Sequence, residues 1–152
     1  MKTFLNSNFK DAVYVEKANA FLTAIGDGTL YPASASFIDV SRFSRFAFLI
    51  FAGTLNTALA FQVQQATAAN GTPKDVTGAT TTMATGDGNK WRMIEVLTDN
   101  LDITNDYKFV TLASTGAAGG DDYACIVFLG LAPNTEPVTQ HANCVASVVV
   151  AG

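Results

Sequence analysis

The feature that most limits the fold of this chain is the lack of any long amphipathic helical pattern. Apolar residues instead fall in short runs, rich in β-branched and aromatic side chains, between clusters of Gly, Asn, Asp and Pro. Runs punctuated in this way are typical of strands joined by turns. The predicted strands are 12–15, 35–40, 45–51, 57–65, 76–83, 91–97, 107–114, 123–131 and 145–150.

Eight or nine strands with irregular loops predict an all-β fold, a β-sandwich of the jelly-roll type. A fibronectin-like or immunoglobulin-like sandwich is the alternative, although Trp91 precedes both cysteines and the immunoglobulin order Cys…Trp…Cys is therefore absent. A length of 152 residues fits one β domain, 1–152, in which 1–10 is a candidate N-terminal arm. Segment 15–25 is the best candidate for a short helix, and the glycine-rich stretch 115–122 is predicted to be a flexible hairpin loop.

Two predicted strands are apolar on both faces. In 45–51, Phe46 and Phe48 fall on one side, and Leu49 and Phe51 fall on the other. A strand of a simple sandwich has one core face and one solvated face. The second apolar face must therefore be covered by an N-terminal segment, a loop or another subunit, and 123–131 requires the same.

Charge is scarce and dispersed. Charged residues make up 14% of the chain, against about 25% in typical domains, and the net charge is −4. Homo-oligomer interfaces are depleted of charge in the same way, so the low charge is consistent with self-association. The alternative interpretation is an ordinary low-charge surface of the extracellular type. Nucleic-acid and anionic membrane surfaces both require clustered cations, so we expect neither as a partner.

No segment predicts export or a membrane anchor. Residues 46–73 carry no charge, but glycine, threonine, asparagine and glutamine interrupt them too often for a spanning helix. The N-terminus lacks the apolar core of a signal peptide. We expect a soluble protein made in the cytoplasm of its host.

Few residues suggest chemistry. His141 is the sole histidine, and Cys144 follows it three residues later. Glu95 lies inside a predicted strand, from which its carboxylate could face a groove. No GxSxG, HExxH or P-loop motif is present. We expect a non-enzyme with no catalytic residue, no cofactor and no metal. Cys125 and Cys144 either pair or, as we favour, remain two buried thiols.

Two binding alternatives depend on loop carboxylates and on aromatic side chains. Residues 99–106 superficially resemble a calcium loop, yet Thr104 and Tyr107 occupy a ligand position and the glycine position of the pattern, which favours a structural turn. A sugar-binding platform would need exposed aromatic residues, for which the sequence offers five candidates. We expect all of them except Tyr31 to pack in the core. The five residues are Tyr14, Tyr31, Trp91, Tyr107 and Tyr123.

Three stretches resemble a group of small tailed-bacteriophage virion structural proteins. They are FIDVSRF at 37–43, FQVQQATAANGTPKDVTGA at 61–79 and IEVLTDNLDITNDYKFVTL at 94–112. The resemblance extends over about 37–131 and lies in sequence style rather than in an active-site motif. It implies a capsid decoration, or cement, protein on the virion surface. Its implied partners are copies of itself, as a homotrimer, and the major capsid protein, and a tail or neck component is the alternative within the group.

Four residues are candidates for an oligomer or shell interface. Gln62 and Gln64 form an outward amide row opposite the apolar side of 57–65, which is either an ordinary solvated face or a polar interface. Phe4 and Phe9 lie in the candidate arm, which we expect to reach a neighbouring subunit. A carbohydrate-binding or adhesive module is the competing function.

Overall fold

The computed structural model describes residues 13–18, 23–116, 122–134 and 139–140. Within them the chain forms ten β-strands and three short 3₁₀ turns, with no α-helix. The strands are β1 Val13–Lys17, β2 Thr23–Ala24, β3 Leu30–Tyr31, β4 Ile38–Asp39, β5 Phe43–Ala52, β6 Leu59–Ala66, β7 Lys74–Met83, β8 Trp91–Leu97, β9 Phe109–Thr115 and β10 Tyr123–Pro133. The 3₁₀ turns are Thr85–Asp87, Thr98–Asn100 and Ile103–Asn105.

The strands form two antiparallel sheets. Sheet A has the order β1-β10-β5-β8, and β2 pairs with the same edge of β10 as β1. Sheet B has the order β3-β9-β6-β7, and β4 lies beside β9 on the same edge as β3. Pro32 follows β3 directly, and because proline has no N–H to give to the ladder it separates β3 from β4.

The connectivity is that of a jelly roll. If β1 and β2 are counted as one interrupted strand, and β3 and β4 as another, the described residues form eight strands, four in each sheet. Among these eight described strands only β6 and β7 form a hairpin within a sheet, and every other connection crosses from one sheet to the other. The predicted all-β jelly-roll sandwich is therefore confirmed.

The core lies between the sheets and is rich in phenylalanine. Phe128 of β10 packs with ring centroids 5.4 Å from Phe48 and 5.8 Å from Phe46, both of β5. Phe61 of β6 closes the core from sheet B, and all four side chains are fully buried. Full burial of each such side chain contributes about 1.5–3 kcal/mol.

Two local predictions were wrong. The helix predicted at 15–25 is absent, because 15–17 belong to β1 and 23–24 form β2, both paired with β10. The glycine-rich stretch 115–122 does not close a hairpin, since β9 and β10 belong to different sheets. The predicted strand 145–150 and the candidate arm 1–10 lie outside the described residues.

Candidate interaction surface

The outward side of sheet A is a continuous surface that we call the apolar face. Strand register sets its rows: Phe51 stands opposite Trp91 and Cys125, and Leu49 stands opposite Met93 and Val127. Its members are Val13, Val15 and Lys17 of β1, Cys125, Val127, Leu129 and Leu131 of β10, Arg45, Ala47, Leu49 and Phe51 of β5, and Trp91, Met93, Glu95 and Leu97 of β8. Twelve of these fifteen residues are uncharged and apolar.

Much of this face is open to solvent. Six large hydrophobic residues in the described part of the chain are exposed, and five of them lie on the apolar face. Their exposed fractions are Val15 36%, Phe51 42%, Trp91 59%, Met93 50% and Leu97 47%. Contiguous exposed apolar patches mark interaction sites on soluble proteins. The prediction that 45–51 and 123–131 carry apolar residues on both sides is confirmed.

The charges on the apolar face nearly cancel. Arg45 donates a hydrogen bond to Glu95 over 3.1 Å, and both side chains are substantially exposed. An exposed ion pair of this kind stabilises the fold by at most about 1 kcal/mol. Its main effect here is to pair two of the three charged members of the face with each other. Glu95, the candidate strand carboxylate, therefore lies on an open sheet face.

A cluster of three charged residues borders the apolar face at the start of β8. Hydrogen bonds from Lys90, from the backbone N–H of Ala84 and from Arg92 lower the pKa of Asp87 to about 2. The Lys90 and Arg92 nitrogens lie 2.9 and 3.3 Å from its oxygens. Asp87 therefore stays ionised at any physiological pH and fixes the turn that leads into Trp91.

The outer side of sheet B is polar. Gln62 and Gln64 point outward from β6, and a β-bulge shifts the register between them. The Gln62 amide nitrogen lies 2.8 Å from the carbonyl oxygen of Val76 and 3.1 Å from that of Ala79, so this side chain satisfies the backbone of the bulge. Gln64 donates to Asp75 over 2.8 Å. An interface role for Gln62 and Gln64 stays a prediction, and Phe4 and Phe9 lie outside the described residues.

The loop carboxylates of 99–106 stabilise turns. Asp102 accepts hydrogen bonds from Lys74 at 2.5 Å and from Asn105 at 2.8 Å, and these two donors lower its pKa. The backbone N–H of Asp102 donates to Gln65. Within the described ranges no three His, Cys, Asp or Glu residues come close enough to hold a metal ion.

Sequence reasoning missed the role of Asp122, which is 1% exposed at the start of β10. Its carboxylate accepts hydrogen bonds from the backbone N–H groups of Asn56 (2.6 Å) and Thr57 (3.1 Å) and from the Thr57 hydroxyl (2.5 Å). Burial raises the pKa of Asp122, but the three hydrogen bonds outweigh it and leave the pKa below its usual value. Asp122 therefore anchors the β5–β6 connection to β10.

Cys125 lies half-buried on the apolar face and forms no disulfide with any described residue. Burial raises the pKa of its thiol, and the positive charge of Lys17 opposes that shift. The residue is thus a protonated, weakly reactive thiol at neutral pH. Cys144 and His141 lie outside the described residues, so whether the two cysteines pair stays a prediction.

The aromatic candidates do not form a row. Tyr14 and Tyr31 are buried, and Tyr107 and Tyr123 are half-buried. The Lys74 ammonium lies 3.8 Å from the centre of the Tyr107 ring. Core packing was the wrong prediction for Trp91, because the first residue of β8 points outward, where its ring lies 6.4 Å from that of Phe51. Tyr31 is buried although its local sequence is polar, and its hydroxyl accepts a hydrogen bond from the Gly26 N–H.

Comparison with known proteins gives distant likenesses. No protein-family model and no curated protein matches the sequence. Similar solved structures include the Tobacco streak virus coat protein, at 10% identity and a TM-score of 0.45 over 94% of this chain and 99% of that one. They also include a chain of Bacillus endospore appendages, described as disulfide-linked pili, at 16% identity and a TM-score of 0.41 over 82% of this chain and 93% of that one. Both are too distant to bear on function.

The strand order itself places the chain among the jelly-roll β-sandwich proteins. In the part of the chain that the structure describes, no helix has the length and apolar character needed to cross a membrane.

Proposed function

We propose that this protein is a structural component of a tailed-bacteriophage virion, namely a capsid decoration protein. It binds the shell of major capsid protein as a homo-oligomer and stabilises the head. The observation that carries the proposal is the apolar face, on which five exposed large hydrophobic residues are brought together by one sheet. Contiguous exposed apolar patches rimmed by polar residues mark sites where another protein surface binds.

The low charge of the chain supports the same proposal. A decoration protein covers part of its surface with other copies and part with the shell. Each contact requires polar groups to lose water, and charged groups lose it at the highest cost. A chain with 14% charged residues reduces that cost at every contact. Weak identical contacts repeated over a shell then act together.

The arrangement of carboxylates supports a binding role rather than catalysis. Three loop carboxylates in the described part of the chain are each held by a neighbouring donor: Asp87 by Lys90, Asp102 by Lys74, and Asp122 by Thr57. Their pKa values are lowered, which is the shift expected of structural anions rather than of a general acid or base working near neutral pH. We therefore propose that the protein is not an enzyme.

Particles provide the direct test. Mass spectrometry of gradient-purified virions from the phage that encodes this chain should detect it in a fixed ratio to the major capsid protein. Shells stripped of it, or assembled without it, should rebind the purified chain and resist heating or chelation better afterwards. Particles that lack the chain, or shells that neither bind it nor gain stability, would refute the proposal. Detection only in separated tails would shift the assignment to a tail component.

One observation favours a second candidate, a carbohydrate-binding module. Trp91 is 59% exposed and lies beside the exposed Phe51, and exposed aromatic faces stack on sugar rings. A glycan array answers the question directly. Binding that is lost in Trp91→Ala and kept in Ile103→Ala would support this candidate, and an array without hits would remove it.

A further inference from the structure

We infer that the apolar face is covered by a second copy of this chain. The inference rests on the proposed function. It identifies another copy of the chain as one partner and assigns that partner to the apolar face. The occupant follows from three properties of the face, namely its area, its charge and its residue types.

The exposed area of the face is large enough to form the apolar centre of a subunit contact. An aromatic side chain has a surface of about 150–250 Å², so one that is half-exposed leaves roughly 100 Å² in contact with solvent. The five exposed residues, some of them smaller, together leave roughly 400–500 Å² in contact with solvent. That is close to the largest patch of a typical monomer, about 300–600 Å². Leu49, Val127, Leu129 and Leu131 are half-buried on the same face and add a smaller area. The exposed apolar area is therefore at least about half of the roughly 800 Å² that each partner buries in a standard stable interface.

The charge of the face permits contact between identical chains. The whole chain has a net charge of −4, which opposes association of copies in general. The apolar face carries only one acidic residue, Glu95, and Arg45 compensates it within the same sheet over 3.1 Å. Two such faces therefore meet without acid–acid repulsion, and an Arg45–Glu95 pair on each copy is complementary to the pair on the other.

The residue types on the face are those of homo-oligomer contacts. Its exposed members include Trp91, Met93 and Phe51, which belong to the types enriched in the cores of protein interfaces. A sugar would need convergent hydrogen-bonding groups beside the aromatic rings. Cys125 lies beside Phe51 and Trp91 in the same row, and Leu49 and Met93 lie in the next row, and these three residues offer few such groups. The charged groups of Asp87, Lys90 and Arg92 at the border of the face are paired with one another.

The mass of the chain and its single tryptophan provide the test of the inference. Sedimentation velocity over a wide concentration range should show a species whose mass is a multiple of the 16.0 kDa chain. Met93→Lys and Leu97→Lys should each raise the dissociation constant about tenfold or more, because each places a charge in the contact. Trp91 is the sole tryptophan, so acrylamide quenching of its fluorescence should rise when the wild type is diluted below that constant.

Ile103→Lys is the matched control. Ile103 is 53% exposed, a fraction close to those of Met93 and Leu97. It lies on a 3₁₀ turn outside the apolar face. Its substitution should leave the dissociation constant unchanged. Circular dichroism and thermal unfolding of the dilute variants should match the dilute wild type, since exposed side chains contribute little to folding of the single chain.

Three outcomes would overturn the inference. A wild type that is monomeric at all concentrations, with Trp91 shielded from acrylamide, shows that the chain covers this face itself. An oligomer unaffected by both Met93→Lys and Leu97→Lys shows that copies meet elsewhere. A monomeric chain that binds shells and loses that binding in Met93→Lys shows that the shell occupies the face, which leaves the proposed function standing. An oligomer sensitive to both substitutions but absent from virions sustains the inference while refuting the proposed function.

Discussion

Replacing Asp122 by alanine should destabilise the fold more than any other single change at a carboxylate in the described part of the chain. The side chain is 1% exposed and accepts three hydrogen bonds, two from the backbone of Asn56 and Thr57 and one from the Thr57 hydroxyl. A hydrogen bond to a charged group contributes about 1.5–3 kcal/mol, and a buried donor left unpaired costs about 1–3 kcal/mol.

Those values are not additive in this case. Asn56 is exposed and Thr57 is half-exposed, so water can reach part of the vacated site and replace some of the lost bonds. We therefore expect Asp122→Ala to lower the free energy of unfolding by about 3 kcal/mol. For a chain of this size each kcal/mol lowers Tm by about 2–4 °C, which gives a fall of roughly 6–12 °C.

Asp122→Asn is the matched control, because it keeps the shape and one acceptor oxygen but removes the charge. Its loss should be smaller, about 1 kcal/mol at pH 7, since the retained oxygen can still accept from the backbone N–H groups. Urea unfolding of the dilute wild type and both variants, followed by circular dichroism, measures all three free energies.

The pH dependence has a definite sign. The folded-state pKa of Asp122 is lower than that of the unfolded chain, so the carboxylate contributes stability above the unfolded value, which is about 3.9. That contribution is lost as the pH falls through the folded-state pKa. The difference in stability between the wild type and Asp122→Asn should therefore be constant near neutral pH and shrink below about pH 4. A difference that persists undiminished at pH 2, or an Asp122→Ala protein as stable as the wild type at pH 7, would refute the reasoning.

Three further predictions concern packing and the β-bulge. Phe128→Ala should lower the free energy of unfolding by about 3–5 kcal/mol, because it opens a cavity beside Phe46 and Phe48. A midpoint of urea unfolding equal to that of the wild type would contradict this packing of the core. Gly130→Ala should cost about 1–3 kcal/mol, since its Cβ would meet the Phe43 ring at 2.5 Å, and thermal unfolding measures the loss. Gln62→Ala should lower the free energy of unfolding by about 1–3 kcal/mol by leaving the bulge carbonyls unpaired. Gln64→Ala, on the same outer face, is the control and should change it by less than about 0.5 kcal/mol, and equal losses would argue against the structural role of Gln62.

Local sequence pattern accounts for most of the strands but not for their partners. The run 91–97 was predicted with the bounds that β8 has, because its β-branched and aromatic residues lie between clear turn signals. The strands β2 and β3 have only two residues each and leave no pattern to detect. They exist because β10 and β9, far away in sequence, offer free edges for pairing.

The candidate site was accessible to sequence reasoning only in part. Alternation along 45–51 showed that two apolar faces exist, and that one of them needs a cover. It could not show that Phe46 faces the core while Phe51 faces outward. Trp91 was assigned to the core for the same reason, and Asp122 was missed because its donors lie more than 60 residues earlier in the chain.

By itself, therefore, the sequence determined that this chain is a β-sandwich and which residues share each side of a strand, because side chains alternate with a period of two whatever the surroundings. The tertiary structure decided which side is buried, since that depends on how two sheets, built from segments distant in sequence, pack against each other. The same packing buried Asp122 against the β5–β6 connection and left Trp91, Met93 and Leu97 together on one open face.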